Sequence, residues 1–300
     1  MSQPLLELDD VRIDIEGRCV LESVSLCSSG DRIGLLGQGH AIIEALAGVG
    51  DVASGSFRIG GFELERARET AAFAVARPWP MQAKASLREG LVLSALLGGC
   101  TSAAAKQRAD AAIERLGLGQ MTRQQSKRRP KVDYYLAGLA EAALFEPEVV
   151  VVDLPIGILE MDGWSRYGTA LSRLIQHKRW LAWVSGPVRH AVEHSWIGAL
   201  DQLLWVENGL SCELSATPAE RVRTLVVIDA ALDVLPEGLD TEELRLAPIR
   251  LASPYGEKRT AFVVELSKDA FGRPITEPLL GWCDRHSLPL FRLDPLDRGF

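Results

Sequence analysis

Four consecutive valines, Val149 to Val152, followed by Asp153, constrain this chain more than any other feature. Successive residues of a strand point to opposite faces, so an unbroken β-branched run must be buried on both. Strands of that kind belong inside a parallel sheet with helices on either side. The surrounding pattern agrees. Residues 31–36, 72–76, 180–185 and 203–207 read as strands, and 42–47, 86–97, 103–116, 132–145 and 164–176 have helical spacing. Strands and helices in alternation predict an α/β fold. Two near-alternating stretches, 5–15 and 20–26, open the chain as antiparallel strands around Gly17, and 56–59 reads as a further strand entering Gly60-Gly61.

At 300 residues, 47% hydrophobic and 24% charged, the chain has material for one large domain and a small one. Small residues and Pro218 in the segment 215–220 mark the boundary, giving domains at 1–216 and 217–300. Beyond it, strands at 224–228, 261–266 and 288–293 and a helix at 277–286 predict an α+β appendage. A net charge of -7 with scattered Lys and Arg argues against a nucleic-acid partner, which needs a dense basic surface. Five widely spaced cysteines without metal-ligand spacing read as reduced thiols, and no metal or cofactor is expected. The N-terminus has no signal-peptide pattern, and every apolar stretch is shorter than the roughly 18 to 20 residues that span a bilayer. The expected location is cytoplasmic, without direct membrane insertion.

Several short motifs follow one another at sensible spacing. Leu6-Glu7-Leu8-Asp9-Asp10-Val11 and Val20-Leu21-Glu22-Ser23-Val24-Ser25-Leu26 precede Gly34-Leu35-Leu36-Gly37 and Ala45-Leu46-Ala47-Gly48. Ser54-Gly55 through Gly60-Gly61, Leu87-Arg88-Glu89-Gly90-Leu91, Glu146-Pro147 through Asp153-Leu154-Pro155, and Leu204-Trp205-Val206-Glu207-Asn208-Gly209 come after. Over residues 5–215 this series resembles the nucleotide-binding subunit of an ATP-binding-cassette (ABC) transporter. The resemblance implies a P-loop NTPase-like domain with a mixed sheet, an N-terminal antiparallel β part, a helical insert at about 84–146 and the small α+β C-terminal domain.

Measured against the family's pattern, the nucleotide chemistry is missing. A phosphate loop needs GxxxxGK[ST], with glycine amides around the phosphates, a lysine for their charge and a hydroxyl for magnesium. Here Gly37-Gln38-Gly39-His40-Ala41-Ile42 has neither lysine nor hydroxyl and is about four residues short. A histidine in the lysine's place is mostly neutral at pH 7 and reaches less far. At the strand end, Asp153 stands at the magnesium-ligand position, or serves as a strand-end cap, but Leu154 replaces the glutamate that positions water. The signature-loop position falls near Arg129-Pro130-Lys131-Val132-Asp133, where proline offers no amide. Pro187 stands where the family's switch histidine is expected, and Arg77 near the Q-loop glutamine.

The family resemblance also suggests contacts. Trp79 and Met81, beside Arg77, fall where a permease would dock, or the tryptophan tucks into the helical insert. Ile156, Ile158 and Glu160 follow the outline of the dimer-contacting D-loop, or pack behind the strand. The C-terminal segment 289–300 looks like the tail of ABC-2-type export ATPases. The expected function is a non-hydrolysing ABC-type subunit, structural or regulatory, in a membrane transport, export or motility-type complex. Its expected partners are an integral-membrane permease or membrane complex and a second ABC-like chain, in a homodimer or heterodimer, with the chain peripheral to the inner membrane face. The alternative is an ATP-binding degenerate half whose partner hydrolyses ATP.

Overall fold

The computed structural model describes residues 3–79, 86–121, 130–184, 191–207, 210–214, 221–230, 232, 244–246, 259–267 and 276–295. In chain order the elements are β1 (Leu6–Ile15), β2 (Arg18–Cys27), β3 (Arg32–Gly37), α1 (Gly39–Leu46), β4 (Gly50–Ile59), β5 (Phe62–Glu63), α2 (Leu64–Glu69) and β6 (Phe73–Ala76). Then come α3 (Leu87–Leu97), α4 (Ser102–Leu116), α5 (Lys131–Ala142) with a 3-10 turn at Ala143–Phe145, β7 (Val149–Leu154), α6 (Met161–Ile175), β8 (Arg179–Val184) and α7 (Ala191–Gly198). β9 (Gln202–Glu207), β10 (Leu210–Leu214), β11 (Arg221–Ile228), β12 (Leu244–Leu246), β13 (Thr260–Ser267), α8 (Glu277–Arg285) and β14 (Leu290–Pro295) follow. Two compact units share these elements. The first holds Met1–Leu5, Gly30–Ile33 and Arg58–Trp196, the second Leu6–Ser29, Gly34–Phe57 and Ile197–Phe300.

In the first unit the valine strand does what its composition requires. β7 lies between β6 and β8, parallel to both, and Val150, Val151 and Val152 are fully buried. The start of β3 joins this sheet, the Trp180 N–H donating to the Asp31 carbonyl at 2.8 Å. α6 turns a stripe of Trp164, Tyr167, Ala170, Leu171 and Leu174 inward, at the three- and four-residue spacing of an amphipathic helix. α3 begins with a capping box, in which Ser86 and Glu89 satisfy each other's backbone donors. The Ser86 N–H holds the Glu89 carboxyl below its usual range. Arg88 then grips Asp110 of α4 with two bonds, at 2.6 and 2.8 Å.

In the second unit β1 and β2 form the expected antiparallel hairpin, β4 flanks β1, and β9 lies between β10 and the remainder of β3. β4 begins at Gly50, six residues before the strand expected at 56–59. Its first half, rich in Gly, Asp and Ser, carries no strand propensity of its own; pairing supplies the structure. Gly55 is required there. Its φ is +86°, and a Cβ would sit 2.4 Å from the carbonyl oxygen of Asp10, itself kinked at φ 50° where the β1/β2 register shifts. The C-terminal strands order as β12-β13-β11-β14, antiparallel throughout. α8 buries Leu279, Trp282 and Cys283 against Val226, Ile228, Phe262, Val264 and Leu266. α2, α7 and β12 were not expected: each is short, so too few apolar positions repeat to show a period. Among the described residues no helix is long and apolar enough to cross a membrane.

Candidate functional site

The glycine turn lies in the second unit and is shorter than the sequence suggested. β3 ends at Gly37 and α1 begins at Gly39, so Gln38 alone joins them. The Gln38 N–H donates to the Val206 carbonyl of β9 at 2.8 Å, so that amide is already committed to backbone. Gly37 has φ +62°, and a Cβ there would lie 2.5 Å from the Val206 carbonyl oxygen and 2.9 Å from Trp205 Nε1. A Cβ on Gly39 would lie 2.6 Å from Leu35 Cβ. Both glycines therefore serve close backbone packing. His40 is half-buried in the first turn of α1, whose next residues, Ala41, Ile42 and Ile43, are buried in the core.

The first unit holds the other candidate positions. At the end of β7, Asp153 is half-buried and Leu154 fully buried. Two tyrosines surround Asp153. Tyr167 donates its hydroxyl to the Asp153 carbonyl at 3.3 Å, and Tyr135 of α5 meets the Tyr167 ring edge-on at 6.0 Å. Burial and then the Asp153 charge push the Tyr135 phenol up to about 12. The Tyr167 phenol goes well above its ordinary 10 for the same reasons. The carboxylate thus faces neutral phenols across an aromatic cluster that Trp164 continues at 5.5 Å.

Past β7 the chain turns through Pro155-Ile156-Gly157, with Gly157 at φ +69°. The Gly157 N–H donates to Oε1 of Glu193 on α7, and Trp164 Nε1–H donates to the same oxygen, each at 2.8 Å. Glu193 is completely buried. Nothing in its sequence surroundings marks it, because its partners come from elements 36 and 29 positions away. The D-loop-like candidates divide. Ile156 is buried at 1% exposure, whereas Ile158 is 39% exposed and Glu160 is exposed beside a neighbour the sequence reading missed, Met161 at 51%.

Arg77 and Trp79 cross α5 and α3. The Trp79 N–H donates to the Tyr134 carbonyl at 3.0 Å, a Cβ on Gly138 would lie 1.8 Å from the Arg77 carbonyl oxygen, and the Trp79 indole covers Gly90. The half-buried tryptophan thus rests against the helical insert. Pro130 precedes α5 without a side-chain cap, and Asp133 is buried with Arg166 at 3.1 Å. Met81, Arg129 and Pro187 lie outside the described residues. Among the described residues no group of three His, Cys, Asp or Glu side chains is placed to hold a metal.

This assembly of antiparallel strands, a parallel core and a helical insert is the ATP-binding-cassette ATPase fold. Solved structures share it. An ATP-binding subunit of an ABC transporter matches with a TM-score of 0.51 and 20% identity, over 68% of this chain and 87% of its own. A nucleotide-free ATP-binding cassette from an ABC transporter matches at 0.55 and 12%, over 69% and 89%. CbiO1 from Clostridium perfringens, part of the ABC transporter complex cbiONQ, matches at 0.53 and 14%, over 69% and 86%. No protein-family model matches the sequence, and no curated protein does.

Proposed function

We propose that this chain is a non-hydrolysing ABC-type ATPase-like subunit, a structural or regulatory component of a membrane transport, export or motility-type complex. The observation that carries this reading is the one-residue joint between β3 and α1, whose single amide is spent on Val206. A triphosphate cradle needs a ring of free amides, a cation and a hydroxyl for magnesium; Gly37–His40 has no lysine and no hydroxyl, and the Gln38 amide is taken by Val206, so these residues fit the nucleotide poorly. Leu154 in place of a water-positioning carboxylate, and the phenols around Asp153, support the same reading. The similar solved proteins are ATP-binding subunits or cassettes of ABC transporters, which supports a permease or membrane complex as partner and a peripheral location on its cytoplasmic side. Exposed Ile158, Glu160 and Met161 supply a surface for a second ABC-like chain.

Titration of the purified chain with a fluorescent ATP analogue and magnesium tests the proposal. The expected result is no saturable binding up to millimolar concentration. Micromolar, magnesium-dependent binding overturns it in favour of an ATP-binding half whose partner hydrolyses.

A further inference from the structure

The outer face of α4 carries a feature that the nucleotide chemistry does not use. Ala104, Gln107, Arg108, Ala111, Ala112 and Arg115 line one side of an open cleft of about 600 Å³, and the segment from Ala143 to Glu146 lines the other. Ala104, Arg108, Ala111 and Arg115 step by four, three and four residues along a single helical stripe, about 16 Å long at 1.5 Å per residue, with Gln107 and Ala112 beside it. Its floor is alanine, which lets another backbone approach closely.

Both arginines donate to backbone carbonyls rather than to acids. Arg108 donates to the Leu144 carbonyl at 3.1 Å and lies over the Phe145 ring at 5.2 Å. Arg115 donates to the carbonyls of Arg173 and Leu174, both at 3.5 Å. Neither forms an ion pair among the described residues, whereas Arg88, reaching the same helix, is locked on Asp110. Lys178 adds a further cation beside Arg115, its ammonium lowered first by burial and then by Arg115, with Glu146 and Glu148 pulling the other way. Among the described residues lining the cleft, Glu146 is the one acid. Two guanidinium groups against one carboxylate leave the described lining of the cleft net positive in a chain of net charge -7.

We propose that this cleft docks an acidic amphipathic helix of a partner protein. A stripe this long, with two cations seven residues apart on one face, complements a helix of about three turns. Carboxylates seven residues apart would answer Arg108 and Arg115, and small apolar residues would lie on the alanine floor. Arg108 is already held by Leu144 and Phe145, so less of its side-chain freedom is lost on binding. The site is independent of the nucleotide reading, since none of the residues lining it is a degenerate nucleotide position.

Fluorescence anisotropy on the full chain tests it, using a labelled helix-forming peptide with glutamates seven residues apart on an alanine-leucine face. The expected result is saturable binding that weakens with salt and falls about tenfold in the Arg108→Glu/Arg115→Glu double variant. Ala111→Trp, which fills the floor without touching either arginine's bonds, loses binding to a similar degree, and circular dichroism verifies that both variants are folded. The proposal is overturned by equal binding of a peptide of the same composition with the glutamates scattered round the helix. It is overturned equally by no saturable binding up to millimolar concentration. Competition by a free aliphatic dicarboxylate makes the cleft a small-anion site, and self-association abolished by the double variant makes a second copy the occupant; either outcome also overturns it.

Discussion

Two turns at the ends of core strands meet the same physical demand in opposite ways. At Gly37–Gly39 the strand runs into α1 through one residue, and the freed amide of Gln38 is satisfied by the backbone of β9. At Pro155–Gly157 the turn is longer, and the freed amide of Gly157 is satisfied by the carboxylate of Glu193. The first solution is made of glycine and main chain, so side-chain substitutions elsewhere barely reach it. The second rests on a single buried acid, shared with Trp164. Backbone closure depends on no side chain, whereas side-chain closure is reversible by one mutation.

Glu193→Leu breaks the comparison hardest. It leaves the buried Trp164 N–H and the part-buried Gly157 N–H without that acceptor, and at about 1–3 kcal/mol for each the expected loss is about 3–4 kcal/mol in a denaturant titration. Glu193→Gln keeps an acceptor and loses much less. A finding that the two variants are equally destabilised would show that the charge, not the hydrogen bonds, matters. Gly37→Ala attacks the other turn, forcing a left-handed backbone and a Cβ 2.5 Å from the Val206 carbonyl oxygen. The expected cost is about 2–3 kcal/mol. A change near zero would mean that the turn has slack.

The smallest effect is a pH response confined to the first unit. Both phenols beside Asp153 ionise less readily folded than unfolded, so between pH 10 and about 12 the unfolded chain has lost protons that the folded chain keeps. Stability from this source is complete below pH 10 and declines as pH rises through that window. Tyr135→Phe is expected to flatten the decline, read as denaturation midpoints across the alkaline range. An unchanged slope would place the relevant burial elsewhere.

The sequence reading of the fold succeeded where pattern and structure share a period. Four valines announce a buried strand, and the stripe of α6 repeats at helical spacing. It fell short where pairing overrides propensity, as in Gly50 to Gly55 of β4, and where elements are too brief to show a period, as in α2 and α7. At the candidate site the glycine turn was legible, because missing lysine and hydroxyl are local facts. That Gln38 donates to Val206 was not, since the acceptor belongs to a strand far along the chain. Glu193, Tyr135 and Tyr167 escaped notice for the same reason: each gains its role from neighbours that only the fold brings near. Ile156 shows the converse, a residue whose motif suggested a surface and whose apolar side chain sits in the core.

The second unit takes its residues from both ends of the chain, and this has a consequence in time. Ser25 accepts from Ser211, 186 positions later, and the Ser29 N–H finds Gln202 after 173. At a synthesis rate of about 5–20 residues per second, the β1–β2 hairpin waits roughly ten to forty seconds on the ribosome before those partners emerge. Throughout that interval its outer edge is open to whatever else is near, so this hairpin waits long for the strands that protect it.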